Sequence, residues 1–208
     1  MTTSHDPERE QFATTFQALG PQAPTILPGW DAADLLEHLS DRERDTPVVM
    51  AARLPGPLGR RAKTVREEQR ARPWSERVER FRQGPGRSPV GAVDRLSGQG
   101  ELLIHHEDLR RAQKDWEPRA LSADQQAQAW RALTLLSRIS VHVAADISLV
   151  SPRGGLQLRS RRSAGSLRVH GEALELLLWA SGRDEVAQVR VHGDEGAIRA
   201  LAEGRRGM

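Results

Sequence analysis

Glu101 and His105 are the residues whose types and spacing could do chemistry. Four apart on an α-helix, they differ by about 40° around the axis, which sets a carboxylate above an imidazole on one face, able to grip one ion. Asp108 falls on that face one turn further on and is a candidate to orient a ligand or shuttle a proton. His106 is a second candidate for that work, although it is rotated by about 100° from His105 and looks elsewhere. Two ligands from one helix do not make a tight site, so a third must come from another element. His38 is the best placed, because a bundle can bring facing residues of two helices to one ion. Two nitrogens and one oxygen suit Zn²⁺, with Ni²⁺ or another first-row ion as alternatives. Three protein ligands leave a position open, as in catalytic sites. On spacing alone, each His could equally be an ordinary polar residue at a helix border.

The chain that must position them has 208 residues, enough for one large domain or two small ones with a real core. It has no cysteine, which excludes disulfides, thiolate ligands and a cysteine nucleophile, so any thiol chemistry must bring its sulfur on another molecule. The start from Met1 to Gln11 is polar and no apolar run reaches membrane-spanning length, which predicts a cytoplasmic protein with no membrane partner. The net charge is only +3, and the basic residues are almost all Arg beside Lys63 and Lys114. Arginine-rich clusters at 60–63, 159–162 and 205–206 are where nucleic acid would bind. They lack interleaved aromatics, so solvated loops are the better reading and nucleic acid is disfavoured as a partner.

In chain order, Asp6-Pro7 reads as a cap and first helical residue, followed by Phe12, Phe16 and Leu19 at helical spacing until Gly20-Pro21. After a Pro-rich connector Asp31 caps a second helix, with Asp34 in its first turn and Ala32, Leu35, Leu36 and Leu39 as its buried stripe. His38 borders that stripe. Pro and Gly break the helix between Leu54 and Gly59, and the charged segment to Arg72-Pro73 is expected to be mobile. Ser75 caps a short helix through Phe81, stopped by Gly84-Pro85-Gly86. The helix holding Glu101 begins between Val93 and Ser97, with Gly98 and Gly100 each costing about 1 kcal/mol relative to Ala. Ser122 with Gln125 forms a capping box for a long helix carrying Ala127, Trp130, Leu133 and Leu136 towards Val143. Trp30, Trp74 and Trp130 could line a pocket or serve as core, and core is favoured for Trp130.

After Asp146 the period changes. Short β-type runs at 147–150, 156–160, 166–170 and 188–192 alternate with helices at 172–180 and 195–203. The chain therefore reads as α+β, with a helical domain over 1–145 and a small α/β domain over 146–208. Arg168-Val169-His170-Gly171-Glu172 recurs as Arg190-Val191-His192-Gly193-Asp194. His170 and His192 could form a second site, but two similarly punctuated strand-to-helix turns explain the repeat.

Several short motifs carry a family resemblance: Gly-Pro-Gln-Ala-Pro-Thr at 20–25, Gly29-Trp30-Asp31, Asp34-Leu35, His38-Leu39, Arg42-Glu43-Arg44, Arg72-Pro73-Trp74 and above all His105 to Ala112. Over most of residues 8–120 the chain resembles an actinobacterial-type metal-binding family that belongs with the mycothiol-dependent maleylpyruvate isomerases in the DinB-like superfamily. The resemblance implies a DinB-like four-helix bundle whose metal is held by His38, Glu101 and His105. It also implies a sterol-carrier-like second domain, matched by pattern rather than by motif. Relatives usually carry bulkier residues where this chain has Gly98 and Gly100.

The function expected from residues and resemblance together is a divalent-metal transferase or isomerase that acts on a small-molecule substrate with a low-molecular-weight thiol, of mycothiol or bacillithiol type, as cosubstrate. The alternative is a non-enzymatic metal- or small-ligand-binding protein of the same fold. A homodimer is compatible with either.

Overall fold

Asp6 accepts a hydrogen bond from the Glu8 amide and Pro7 occupies the first turn, so the chain enters α1 (Pro7–Leu19) as its local sequence predicts. The structure is a computed structural model that describes residues 6–84 and 90–207, and of residues 90–99 the backbone alone. The polar start before Asp6 and the expected stop at Pro85-Gly86 lie outside the described residues, while Gly98 lies within the backbone of α6.

Among the described residues the chain is α+β and divides into two compact units. The first comprises residues 1–98 and 105–117, the second 99–104 and 118–208. In the first unit α2 (Ala32–Glu43) opens on a reciprocal capping box between Asp31 and Asp34 and buries Ala32, Leu35, Leu36 and Leu39. Phe12 and Phe16 of α1 stack at 4.4 Å, and Phe81 meets both edge-on. Leu19, which follows Phe16 at helical spacing, is 38% exposed at the helix end.

The segment expected to be mobile is instead helical. After α3 (Thr46–Ala52) the chain breaks near Pro55-Gly56 and resumes as α4 (Pro57–Arg70). Arg66 of α4 pairs with Glu37 and Asp41 of α2, and Arg70 pairs with Glu37. These ion pairs cross more than twenty residues of sequence and are invisible to helical periodicity. The next helix, α5 (Trp74–Arg82), starts one residue before the expected cap, with Pro73 at its N-cap and no side-chain capping bond. The helix of Glu101, α6 (Val90–Arg110), also starts earlier than expected.

In the second unit α7 (Ala123–Ser140) opens on the predicted Ser122–Gln125 capping box. It ends before Val143, because Val141 and His142 form β1 (Val141–His142) against β6 (Arg205–Arg206) in a small antiparallel pair. The main sheet has the order β3-β2-β4-β5, built from β2 (Asp146–Ser151), β3 (Gly154–Leu158), β4 (Ser166–His170) and β5 (Arg190–Gly193). β2 and β4 run parallel, while both edge pairings are antiparallel. Helix α8 (Ala173–Ala180) is apolar apart from Glu175 and buried along its length, and α9 (Glu195–Glu203) buries Ala197 and Ala200. Leu103, Ile104, Leu133, Ile147, Leu167 and Leu177 belong to one continuous core, with Trp130 packed against it. The change from helix to strand near residue 145 is real, but packing places α7 with the sheet rather than with the preceding helices.

Gly100 explains its own presence. A Cβ built there would lie 2.5 Å from the Cβ of Ala132, closer than real side chains come, so α6 can run against α7 only because this residue lacks a side chain.

Candidate metal site

Helix α2 carries His38 beside its buried stripe, and α6 carries Glu101 and His105 one turn apart. One donor atom of each residue lies within 4.8 Å of the corresponding atoms of the other two. The His38 and His105 rings stand 5.4 Å apart between centroids at 72°. All three side chains are partly buried. Bonds of about 2.1 Å would put tetrahedral ligands about 3.4 Å apart, so the group need close by only an ångström or so, within reach of small χ rotations. Two imidazoles and a carboxylate are donors fit for a first-row divalent ion.

Asp108 sharpens this arrangement. Its carboxylate is fully buried and lies 2.8 Å from His105 Nδ1, which makes it the acceptor of that N–H and leaves Nε2 with its lone pair for a cation. A carboxylate behind a histidine fixes the tautomer and the ring orientation and raises the basicity of the ligating nitrogen. Of the two roles expected for Asp108, orientation is the one its geometry supports.

The structure does not bring His106 to this group. Its ring is 2% exposed, with Nδ1 2.6 Å from Glu8 Oε1 and Nε2 2.8 Å from Thr15 Oγ1, and it stacks on Phe12 at 4.7 Å. Both nitrogens are engaged on α1, so His106 ties α6 to α1 rather than facing the donor group. Glu107 is likewise structural: fully buried, it pairs with Arg111 at 2.6 Å and Arg110 at 3.0 Å, and Arg111 lies over the Trp116 ring. The dense run from His105 to Arg111 therefore has one residue aimed at the metal group, one behind it, and the rest holding α6 in place.

From its sequence position Trp30 could line a pocket or serve as core. The connector from Gly20 to Trp30 is an ordered loop entered and left through glycines at φ 82° and 78°, values that favour a residue without Cβ. Thr25 donates its hydroxyl to the Trp30 carbonyl, and the Ile26 amide donates to the Asp108 carbonyl at 2.9 Å. This docks the loop on α6 and sets the Trp30 ring 5.3 Å from that of His38, with Trp30 37% exposed. Trp30 is thus a wall of the site. Trp74, whose Nε1 donates to the Phe16 carbonyl, is a packing residue. The signal for Trp30 was its place immediately before a helix cap, which periodicity does not score.

The rings of His170 and His192 lie 6.2 Å apart on β4 and β5. Among the described residues His38, Glu101 and His105 form the only group of three or more such donors close enough to share an ion. Arg206 pairs with Asp184 and covers the Trp179 ring, which gives one arginine cluster a structural role. No described helix is long and apolar enough to cross a membrane. Set against family models, curated proteins and solved structures, the chain finds no match in any of the three.

Proposed function

We propose that the chain is a divalent-metal enzyme, a transferase or isomerase of the DinB-like, mycothiol-dependent maleylpyruvate isomerase type. In this reading the first unit is a DinB-like bundle and the second a sterol-carrier-like domain. The metal is Zn²⁺ or another first-row ion, and the cosubstrate is a low-molecular-weight thiol such as mycothiol or bacillithiol. The observation that carries the reading is the convergence of His38, Glu101 and His105, with buried Asp108 fixing His105 from behind.

His38, Glu101 and His105 would hold the ion, which would supply a Lewis acid able to lower the pKa of a thiol. Glu101 contributes the one negative charge of the ligand set, and Asp108 keeps His105 in the tautomer that presents Nε2. Trp30 gives the site an apolar flank beside His38 that limits water and offers a surface to a substrate. The absence of cysteine is consistent with sulfur that arrives on a cosubstrate.

Metal analysis of the full chain purified without chelator is the first test. About one equivalent of metal is expected in the wild type, and much less in His38→Ala and His105→Ala. A metal-free wild type that also ignores added zinc would overturn the proposal. Incubation with mycothiol or bacillithiol and a panel of electrophiles, maleylpyruvate among them, then separates the two functional readings. Turnover lost in His38→Ala supports an enzyme, whereas metal binding with no turnover supports a non-enzymatic binding protein.

A further inference from the structure

Residues of α2, α4 and α5, with Asp45 and Arg72 beside them, line a partly open cavity of about 40 Å³, room for a few water-sized groups. Its wall contains three carboxylates, of Glu37, Asp41 and Asp45, against five guanidinium groups, an excess of two positive charges. Three of the arginines are matched: Arg66 and Arg70 by Glu37 and Asp41, and Arg80 by Asp45 at 2.9 Å. Arg72 and Arg77 make up the excess. The carboxylate facing Arg72 is that of exposed Glu76, at 4.0 Å. Arg77 donates to the Ala33 carbonyl at 3.0 Å and lies 5.6 Å from the Trp74 ring, with no carboxylate partner among the described residues. Burial lowers the Arg77 pKa, which marks a guanidinium short of the solvent it would otherwise hold.

A second observation points to the same space. Arg66 Nε is buried and meets no hydrogen-bond acceptor among the described residues, although Nη2 of the same guanidinium donates to both Glu37 and Asp41. A buried unsatisfied donor costs about 1–3 kcal/mol, and a partly buried unmatched charge costs more, so such a pair in one wall is stable when an acceptor occupies the cavity. The acceptor must be anionic to offset the charge excess, small to fit the volume, and rich in oxygen to meet forked N–H donors.

We propose that the cavity between α2, α4 and α5 binds a small oxyanion of phosphate or sulfate type, gripped by Arg77 and Arg72 with Arg66 Nε–H as a further donor. The site is distinct from the metal group and does not depend on it. Its neighbour on α2 is Glu37, next in sequence to His38, so an occupied cavity braces the helix that presents His38.

The test uses the full chain in excess chelator, which removes any contribution of phosphate bound to a metal. Thermal unfolding is followed while inorganic phosphate, sulfate or phenyl phosphate is titrated at constant ionic strength made up with chloride. A saturable rise in melting temperature with phosphate or sulfate is expected, with affinity weakened at least tenfold in Arg77→Gln and measurably in Arg72→Gln. Tighter binding of phenyl phosphate than of inorganic phosphate would assign the site to the phosphoryl group of a larger molecule, and the reverse to the free ion; both support the proposal. Equal responses to phosphate and chloride, or wild-type titrations in both variants, would overturn it. If Arg77→Gln does not fold, ³¹P line broadening of phosphate by the wild type, competed by sulfate but not chloride, decides, and its absence sinks the idea.

Discussion

Asp108 acts on the candidate metal group through His105 Nδ1. Asp108→Asn is expected to retain the fold and to weaken metal binding by about 10–100-fold, as the loss of a carboxylate behind a ligating histidine does. Competition with a chromophoric chelator measures this, and unchanged affinity would argue against the carboxylate–histidine–metal arrangement. His106 is expected to behave in the opposite way. Its removal deletes contacts to Glu8, Thr15 and Phe12 within a packed interior, at a cost of about 2–4 kcal/mol. Urea unfolding of His106→Ala should show that loss while metal stoichiometry stays at the wild-type value. Two adjacent histidines are thus separated by function because successive helical residues face directions about 100° apart.

At the scale of elements, the approach of α6 to α7 rests on Gly100. Helix propensity alone favours Ala there by about 1 kcal/mol. The 2.5 Å approach of a Cβ to Ala132 instead predicts a net loss, since overpacking costs about 1–3 kcal/mol. Gly100→Ala should therefore lower the unfolding midpoint and, because Glu101 is the next residue, weaken metal binding; a stabilised variant would show that the two helices can separate freely. The start of α9 carries a pH-dependent contact. Asp194 accepts from the Ser166 amide at 2.8 Å and from the Ser166 hydroxyl, and these bonds hold its carboxyl below the ordinary value of 3.8. A depressed carboxylate adds stability that is fully present above its unfolded value and is lost as pH falls through the lower folded one. Wild type and Asp194→Asn should therefore differ in urea midpoint near neutrality and converge as pH drops below 3.8. A constant difference down to about pH 2 would contradict the assignment.

For the whole molecule, an ion that binds only the folded chain must raise its stability by mass action, by about 2.7 kcal/mol at a free concentration a hundred times Kd. Added zinc should raise the melting temperature of the wild type and leave His38→Ala unmoved, and calorimetry with and without chelator reads both. Features set by neighbours within about four residues are legible in the sequence alone. The caps at Asp6, Asp31 and Ser122, the buried stripe of α2 and the span of α9 follow from bonds and faces one helical turn apart. The pairing of Glu101 with His105 is of that kind, and so was legible before any fold. His38 could be proposed from a second helix only through the rules of bundles and a family resemblance. Only the tertiary structure decided that Asp108 backs His105, that His106 turns to Glu8, and that Trp30 walls His38. It also made α4 a helix tied to Glu37, paired β1 with β6, and grouped α7 with the sheet. Each of these depends on groups far apart in sequence, whose attraction acts only after other elements have brought them within a few ångströms, so no local pattern of residues records it.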